Sequence, residues 1–178
     1  ATASERVRED IVERLTLKDP QVLVGDFDRK NLTYRILPRT NLTNQIIETI
    51  EKHKNEAGII YCIRGKDVDD LTTLLTKRGI SCLAYHAGMS NEERKLNQEV
   101  FMSEKVDIIV ATVAFGMGID RSNIRYVIHT GMPKSIEHYQ QETGRAGRDG
   151  LEAECVLFYS GSDAVVWKKL LGEPDETS

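Results

Sequence analysis

The sequence contains no Gly-x-x-x-x-Gly-Lys-Ser/Thr loop, no Cys-x-x-Cys pair and no apolar run near the ~18 residues of a membrane span. It therefore has no cradle of its own for a triphosphate and its Mg²⁺, no recognisable zinc or disulfide framework, and no spanning segment. Its three cysteines (Cys62, Cys82, Cys155) are odd in number and far apart. They read as small buried apolar residues in a reducing compartment. The opening Ala1-Thr2-Ala3-Ser4-Glu5-Arg6 lacks a signal-peptide pattern. A basic excess is also missing: 24 Lys and Arg against 28 Asp and Glu leave a net charge of −4 and a pI near 5.6. That excludes a chain-wide nucleic-acid coat, so any such site must be local.

The acidity is confined to one stretch. Residues 151–178 hold two Lys and six acids, leaving 22 basic and 22 acidic residues in 1–150. Gly172–Ser178 reads as a solvated end. The 178 residues are one domain's worth, and 40% hydrophobic content suffices for a core.

Periodicity alternates along the chain. A helix is expected near the start, from a Thr2-x-x-Glu5 capping box with Val7, Ile11 and Leu15 on one face. Gln21–Phe27 and Asn31–Leu37 read as extended, and Asn41–Lys54 as a helix. The nearly continuous apolar run Ala57–Ile63 predicts a strand buried on both faces. A helix ending at Gly79, a strand over Ser81–Tyr85 and a helix opened by Ser90-x-x-Glu93 follow. Val106–Ala111 and Tyr126–His129 read as strands, Ile136–Thr143 as a helix, Cys155–Tyr159 as a strand and Ala164–Leu171 as a last helix. Strands alternating with helices predict an α/β fold, a mostly parallel central sheet with helices on both faces.

In such sheets ligands bind beyond the C-terminal strand ends, where three segments of unusual composition are expected. Thr112–Asp120 (TVAFGMGID) has two closely spaced glycines that allow backbone approach, and a threonine hydroxyl for a phosphate; alone it is also an ordinary tight turn. Gln141–Gly150 (QETGRAGRDG) sets two arginines among small residues, as a closely approaching second surface would require. Guanidinium forks bind two phosphate oxygens at once and stay charged. Tyr85-His86-Ala87-Gly88 precedes a helix N-terminus, where amides can hold a phosphate. An arginine edge and phosphate-friendly turns without a phosphate loop read as half of a two-lobed machine.

These residues resemble the second RecA-like lobe of superfamily 2 helicases, and among them the RecQ family of DNA helicases. Val110–Asp120 resembles motif V in its RecQ form, Gln141–Gly150 motif VI, Gly58–Cys62 motif IV, and Tyr85–Met89 the family's Tyr-His-Ala-Gly-Leu. Ala1-Thr2-Ala3 resembles the tail of motif III, and Phe27-Asp28-Arg29-x-Asn31-Leu32 the connector between lobes. The resemblance implies three parts: residues 1–26 as the tail of the first lobe and the inter-lobe connection, 27–160 as the second lobe, and 161–178 as a C-terminal helix and frayed acidic end. It also implies an intracellular protein, in the cytoplasm if bacterial and in the nucleus if eukaryotic.

By that resemblance the full-length protein is an ATP-dependent 3′ to 5′ DNA helicase acting in repair and recombination. ATP with Mg²⁺ is held mainly by the other lobe, and this lobe alone is inactive. Arg148 is the arginine finger and Arg145 its support, with Gly118, Asp120 and Gln141 on the nucleotide side. Arg64, Lys66, His86, Gly88, Thr112 and Lys168 touch DNA. Two sites depart from the family pattern. Arg64 and Gly65 stand where it has Ser-Arg, shifting the charge by one, and Gln140 replaces the second of two tyrosines. An RNA helicase or translocase lobe, or a non-catalytic nucleic-acid or partner-binding module, are the alternatives.

Overall fold

A computed structural model describes residues 21–24, 29–112, 121–133 and 136–160. Seven strands form one sheet: β1 (Gln21–Val24), β2 (Leu32–Pro38), β3 (Ala57–Tyr61), β4 (Leu83–Tyr85), β5 (Ile108–Ala111), β6 (Ile124–His129) and β7 (Ala153–Tyr159). Their order is β1-β2-β7-β6-β3-β5-β4. All neighbours pair in parallel except β1, which runs antiparallel to β2 from Gln21↔Ile36 to Val24↔Thr33. The sheet thus begins before residue 27. The helices predicted near residues 2–15 and 164–171 lie outside the described residues.

Local chemistry sets the elements. The runs AGIIY and AECVLFY are buried at every residue, as strands covered on both faces must be. Helix α1 (Leu42–Lys52) starts where Asn41 Oδ1 accepts the Asn44 N–H at 3.2 Å, and turns Ile46 and Ile50 inward. Helix α2 (Gly65–Lys77) buries Val68 and Leu75 and stops one residue before Gly79. In α3 (Asn91–Met102) the expected cap forms, with Ser90 Oγ accepting from Glu93 N–H at 3.1 Å. Helix α4 spans Ile136–Thr143 as the periodicity predicts.

Period-two alternation divides the core. Ile60, Cys62, Val110, Tyr126, Ile128 and Phe158 pack with the apolar stripes of α1 and α2 on one face. Tyr34, Ile59, Tyr61, Ile109, Cys155 and Leu157 pack with Phe101, Tyr139 and Ala146 on the other. Helices on both faces of a mostly parallel sheet are the architecture predicted. Each fully buried aromatic contributes about 1.5–3 kcal/mol through lost apolar exposure; Tyr34, Tyr126, Tyr139 and Phe101 are the largest.

Parallel β/α winding separates two edges. Turns that leave strands, after Tyr61, Tyr85, Ala111 and His129, gather at the C-terminal edge. Turns that enter strands, before Leu32, Ile124 and Ala153, gather at the N-terminal edge.

Candidate functional site

At the C-terminal edge the chain leaves β3 for α2 on one face and leaves β6 toward α4 on the other. This reversal opens a crevice between β3 and β6. Its floor is fixed by Thr130, whose N–H and hydroxyl both donate to Tyr61 O, at 3.0 and 3.2 Å. A cavity of about 420 Å³ lies here, lined by Arg39, Thr43, Ile63, Arg64, Asp67 and Thr130 among others. Ile63 is 59% exposed, unusual for a side chain that continues a strand. Lys66 is exposed, and so is Arg64, whose guanidinium pairs with Asp67 at 3.1 Å.

Three other predicted DNA residues stand on the same edge. Thr112 is buried, with its N–H on Tyr85 O at 3.1 Å, which ties the start of the glycine segment to the end of β4. His86 is also buried and uses both ring nitrogens internally. Nδ1 accepts the Gly88 N–H at 3.1 Å, so Nε2 carries the proton and donates to Asp69 at 2.8 Å. The imidazole therefore braces the turn, leaving its exposed neighbours Ala87 and Gly88 to face solvent. Gly65 is part of the brace, since a Cβ there would stand 2.9 Å from His86 Nδ1. The glycine that departs from the family pattern makes room for this ring. Lys168 lies outside the described residues.

The arginine segment is elsewhere. It follows α4 and enters β7, so its end, Gly147–Gly150, lies at the N-terminal edge and not beyond the C-terminal strand ends as expected, whereas Glu142 and Arg145 reach His129 and Tyr61 at the ends of β6 and β3. Gly147 N–H donates to Ile124 O at 2.8 Å and Asp149 N–H to Ser122 O at 3.1 Å, both at the start of β6. The sequence-based expectation overlooked that a turn entering a parallel strand lies opposite to one leaving it. The smallness of Ala146 and Gly147 is spent inside the lobe: both are buried. Gly147 has φ +56°, and a Cβ on it would come within 2.6 Å of Asn31 Nδ2 and 2.9 Å of Leu151 O.

Residues the motif reading passed over hold this turn. Arg29 donates Nη1 to Gly144 O at 2.9 Å, and Nη2 to Ala146 O at 2.7 Å and Gly147 O at 2.9 Å. Asn31 Nδ2 donates to Gly147 O and Leu151 O, both at 2.8 Å. Arg125 clamps Asp149 at 2.5 and 2.6 Å, and this hydrogen bonding holds the Asp149 carboxyl below its usual range. Arg121, 4% exposed, donates to Phe101 O, Val106 O, Asn123 Oδ1 and Asp107. It anchors the chain directly after the glycine segment. Arg29 and Asn31 lie in the quoted connector; Arg121 follows Asp120. Neither position carries a sequence signal of its partner.

Of the predicted nucleotide-side residues, Arg148 and Gln141 are exposed and Arg145 is half-buried. Gly118 and Asp120 lie outside the described residues. Arg145 Nε is buried without a hydrogen-bond partner among the described residues. Burial pushes the Tyr61 hydroxyl pKa up, and the nearby Arg145 guanidinium opposes that rise. Beneath the turn, buried His129 and Glu142 pair at 3.0 Å, with the imidazole stacked 5.1 Å from Tyr61. A half-buried arginine three residues before an exposed one is a donor set suited to phosphate oxygens. Among the described residues no group of three or more His, Cys, Asp or Glu could hold a metal ion, and no helix is long and apolar enough to cross a membrane.

A second cavity on the N-terminal edge, about 600 Å³, is lined by Arg35, Lys52, His53, Arg125 and Glu154. Its charges satisfy one another. Buried Glu154 meets Arg35 at 2.9 Å, Lys52 at 3.0 Å and His53 at 2.7 Å. Burial pushes the Glu154 carboxyl up, but hydrogen bonds from His53 and Lys52 outweigh it and bring the pKa to about 2.

The sequence pattern of the helicase conserved C-terminal domain family matches residues 40–150, more than half of the chain. The chain belongs to this family. It is 43% identical over 177 residues to the ATP-dependent DNA helicase RecQ of Pasteurella multocida, covering 99% of this chain and 28% of that protein. It is also 43% identical over 175 residues to the RecQ-like DNA helicase BLM of Xenopus laevis, covering 96% of this chain and 13% of that one. The chain thus spans under a third of the length of these relatives. The E. coli DEAD-box protein SrmB, solved bound to regulator of ribonuclease activity A, superposes with a TM-score of 0.64 at 22% identity, covering 74% of this chain and 75% of that one. Domain 2 of the Mss116p DEAD-box helicase, solved on an RNA duplex, superposes with a TM-score of 0.58 at 26% identity, covering 65% and 47%. The chain is a RecA-like helicase C-terminal lobe of RecQ type.

Proposed function

We propose that this lobe forms, with a phosphate-loop lobe, an ATP-dependent DNA helicase that moves 3′ to 5′, and that Arg148 is its arginine finger. The observation that carries the reading is the pinned turn Gly144–Gly150, which holds Arg145 and Arg148 three residues apart on one fixed backbone. ATP, bound with Mg²⁺ mainly on the other lobe, supplies the phosphoryl group whose hydrolysis drives the cycle. Arg148 places a permanent positive charge against the γ-phosphate, where negative charge develops, an effect of about 10³–10⁵ in rate in related enzymes. Arg145 supports it from its half-buried position. Gly118, Asp120 and Gln141 link the arginines to the glycine segment.

At the C-terminal edge Thr112, Gly88 and the braced His86 turn, with Arg64 and Lys66, grip single-stranded DNA through its phosphates, and Lys168 adds a further phosphate contact. Each lobe holds the strand by its phosphates, so cleft closure moves one grip relative to the other. The division at residue 160 follows the same reading, while β1, paired with β2, belongs with the second lobe.

In the intact helicase, Arg148→Ala should lower kcat for ATP by about 10³-fold while nucleotide binding stays within twofold. Undiminished turnover would remove the finger assignment. Stimulation of turnover by single-stranded RNA in place of DNA would favour the RNA-helicase reading. The isolated lobe should show no ATP hydrolysis, and its DNA affinity should fall steeply with salt.

A further inference from the structure

We propose that Arg29 and Asn31 are positioning residues for the arginine turn, acting on hydrolysis through Arg145 and Arg148. The inference rests on the reading of Arg148 as the phosphate-facing arginine. The turn is a short excursion between α4 and β7, the kind of segment that ordinarily moves freely. Here its polar backbone is almost fully spoken for. The N–H groups of Gly144, Arg145, Ala146, Gly147, Asp149 and Gly150 all donate to backbone carbonyls, those of Gly147 and Asp149 reaching to the start of β6.

The carbonyls on the other side converge on one group. Gly144, Ala146 and Gly147 all offer their oxygens to the Arg29 guanidinium, at 2.7–2.9 Å. Asn31 doubles the hold on Gly147 and closes the turn to Leu151. Arg29 and Asn31 are themselves fixed: Leu32 N–H donates to Arg29 O at 3.1 Å, and Ala153 N–H to Asn31 O at 3.0 Å. The grip spans 115 to 120 residues of sequence.

This arrangement suits positioning. A guanidinium is planar and always charged, so it gathers several carbonyl dipoles in one fixed geometry; an ammonium does not. With the backbone dipoles turned inward to Arg29, the turn holds the backbone of Arg145 and Arg148 in one fixed place. A displacement of about 1 Å at a reacting centre can cost 10²-fold in rate. Binding by a long, exposed arginine is far less sensitive to such a shift. Loss of the grip should therefore lower kcat and spare KM.

The test uses the intact helicase with saturating DNA. Arg29→Gln removes the charge and the fork. Asn31→Asp keeps the size and sets a carboxylate against two carbonyls. Each should reduce kcat for ATP about 10–100-fold, with KM within threefold. Arg29→Lys keeps the charge without the three-way geometry and should fall between. The deciding measurement is a cycle with Arg148→Ala. If Arg29 acts through the arginines, adding Arg29→Gln to Arg148→Ala should cost under twofold more in kcat. A further loss equal to that of Arg29→Gln alone would overturn the proposal, as would wild-type kcat in both Arg29→Gln and Asn31→Asp. Full activity in Arg148→Ala would instead defeat the finger reading. Should Arg29→Gln not fold, Arg29→Lys and Asn31→Asp carry the same cycle.

Discussion

The two edges of the sheet are built on different principles. At the C-terminal edge, the predicted phosphate-contact side chains are braced from nearby in the sequence: His86 by Asp69 and Gly88, Arg64 by Asp67. At the N-terminal edge, the arginine turn is held by residues more than 100 positions away, Arg29 and Asn31. Local bracing suits a surface that grips a repeating polymer, where several modest contacts share the load. Distant bracing suits one side chain that must meet one charge at one moment.

The largest effect that can break this contrast is functional. Arg148→Ala at the N-terminal edge should cost about 10³-fold in kcat, whereas Lys66→Ala at the other edge should leave DNA-saturated kcat unchanged. Similar kcat losses for both in steady-state assays would erase the distinction.

Stability comes next. Gly147→Ala imposes a left-handed backbone on a residue with a Cβ and drives that Cβ into Asn31 and a backbone carbonyl. It should destabilise by about 2–4 kcal/mol in denaturant unfolding. Gly65→Ala meets only the His86 ring, which can tilt, and should cost about 1–2 kcal/mol. A reversed order would mean that the local brace is the stiffer one.

Charge at the C-terminal edge predicts a smaller change. The double variant Arg64→Ala, Lys66→Ala should reduce the slope of log affinity against log salt by about 1, since each phosphate contact to a single strand is worth about 0.7. Fluorescence anisotropy across a salt series on the intact protein reads this directly. An unchanged slope would take both residues off the DNA path.

The smallest expected effect is in pH. Hydrogen bonding to Glu154 raises the His53 pKa above its usual value, while Glu154 sits near 2. A raised His53 stabilises fully below about pH 6.5, its unfolded value, and that stabilisation is lost as pH climbs through the folded pKa. Glu154 stabilises above its unfolded value near 4.5 and loses this as pH falls toward 2. The pair is therefore strongest between these limits. Thermal midpoints should decline from pH 6 to pH 8 more in the parent than in His53→Gln; parallel curves would show that His53 adds nothing.

Much of this was legible in the sequence. Apolar runs such as AGIIY announced strands covered on both faces, and Ser90-x-x-Glu93 announced the start of α3. Helix Ile136–Thr143 was readable from its period alone. The motif residues that the structure describes lie at two edges, and the arginine segment, expected at the C-terminal one, ends at the other. Chain order held the answer, because a turn following a helix enters the next parallel strand at its N-terminal end. His86 was read as a phosphate contact from its place before a helix, but its two bonds depend on where Asp69 falls on α2.

The sequence by itself determined the elements and the burial of the sheet, because periodicity and side-chain chemistry are local properties. Only the tertiary structure decided that His86 is held by Asp69 and that Arg29 and Asn31 hold the arginine turn. The hydrogen bonds of Arg29 and Asn31 join residues brought together by the parallel pairing of β2 with β7, and no spacing along the chain encodes a contact that packing alone creates.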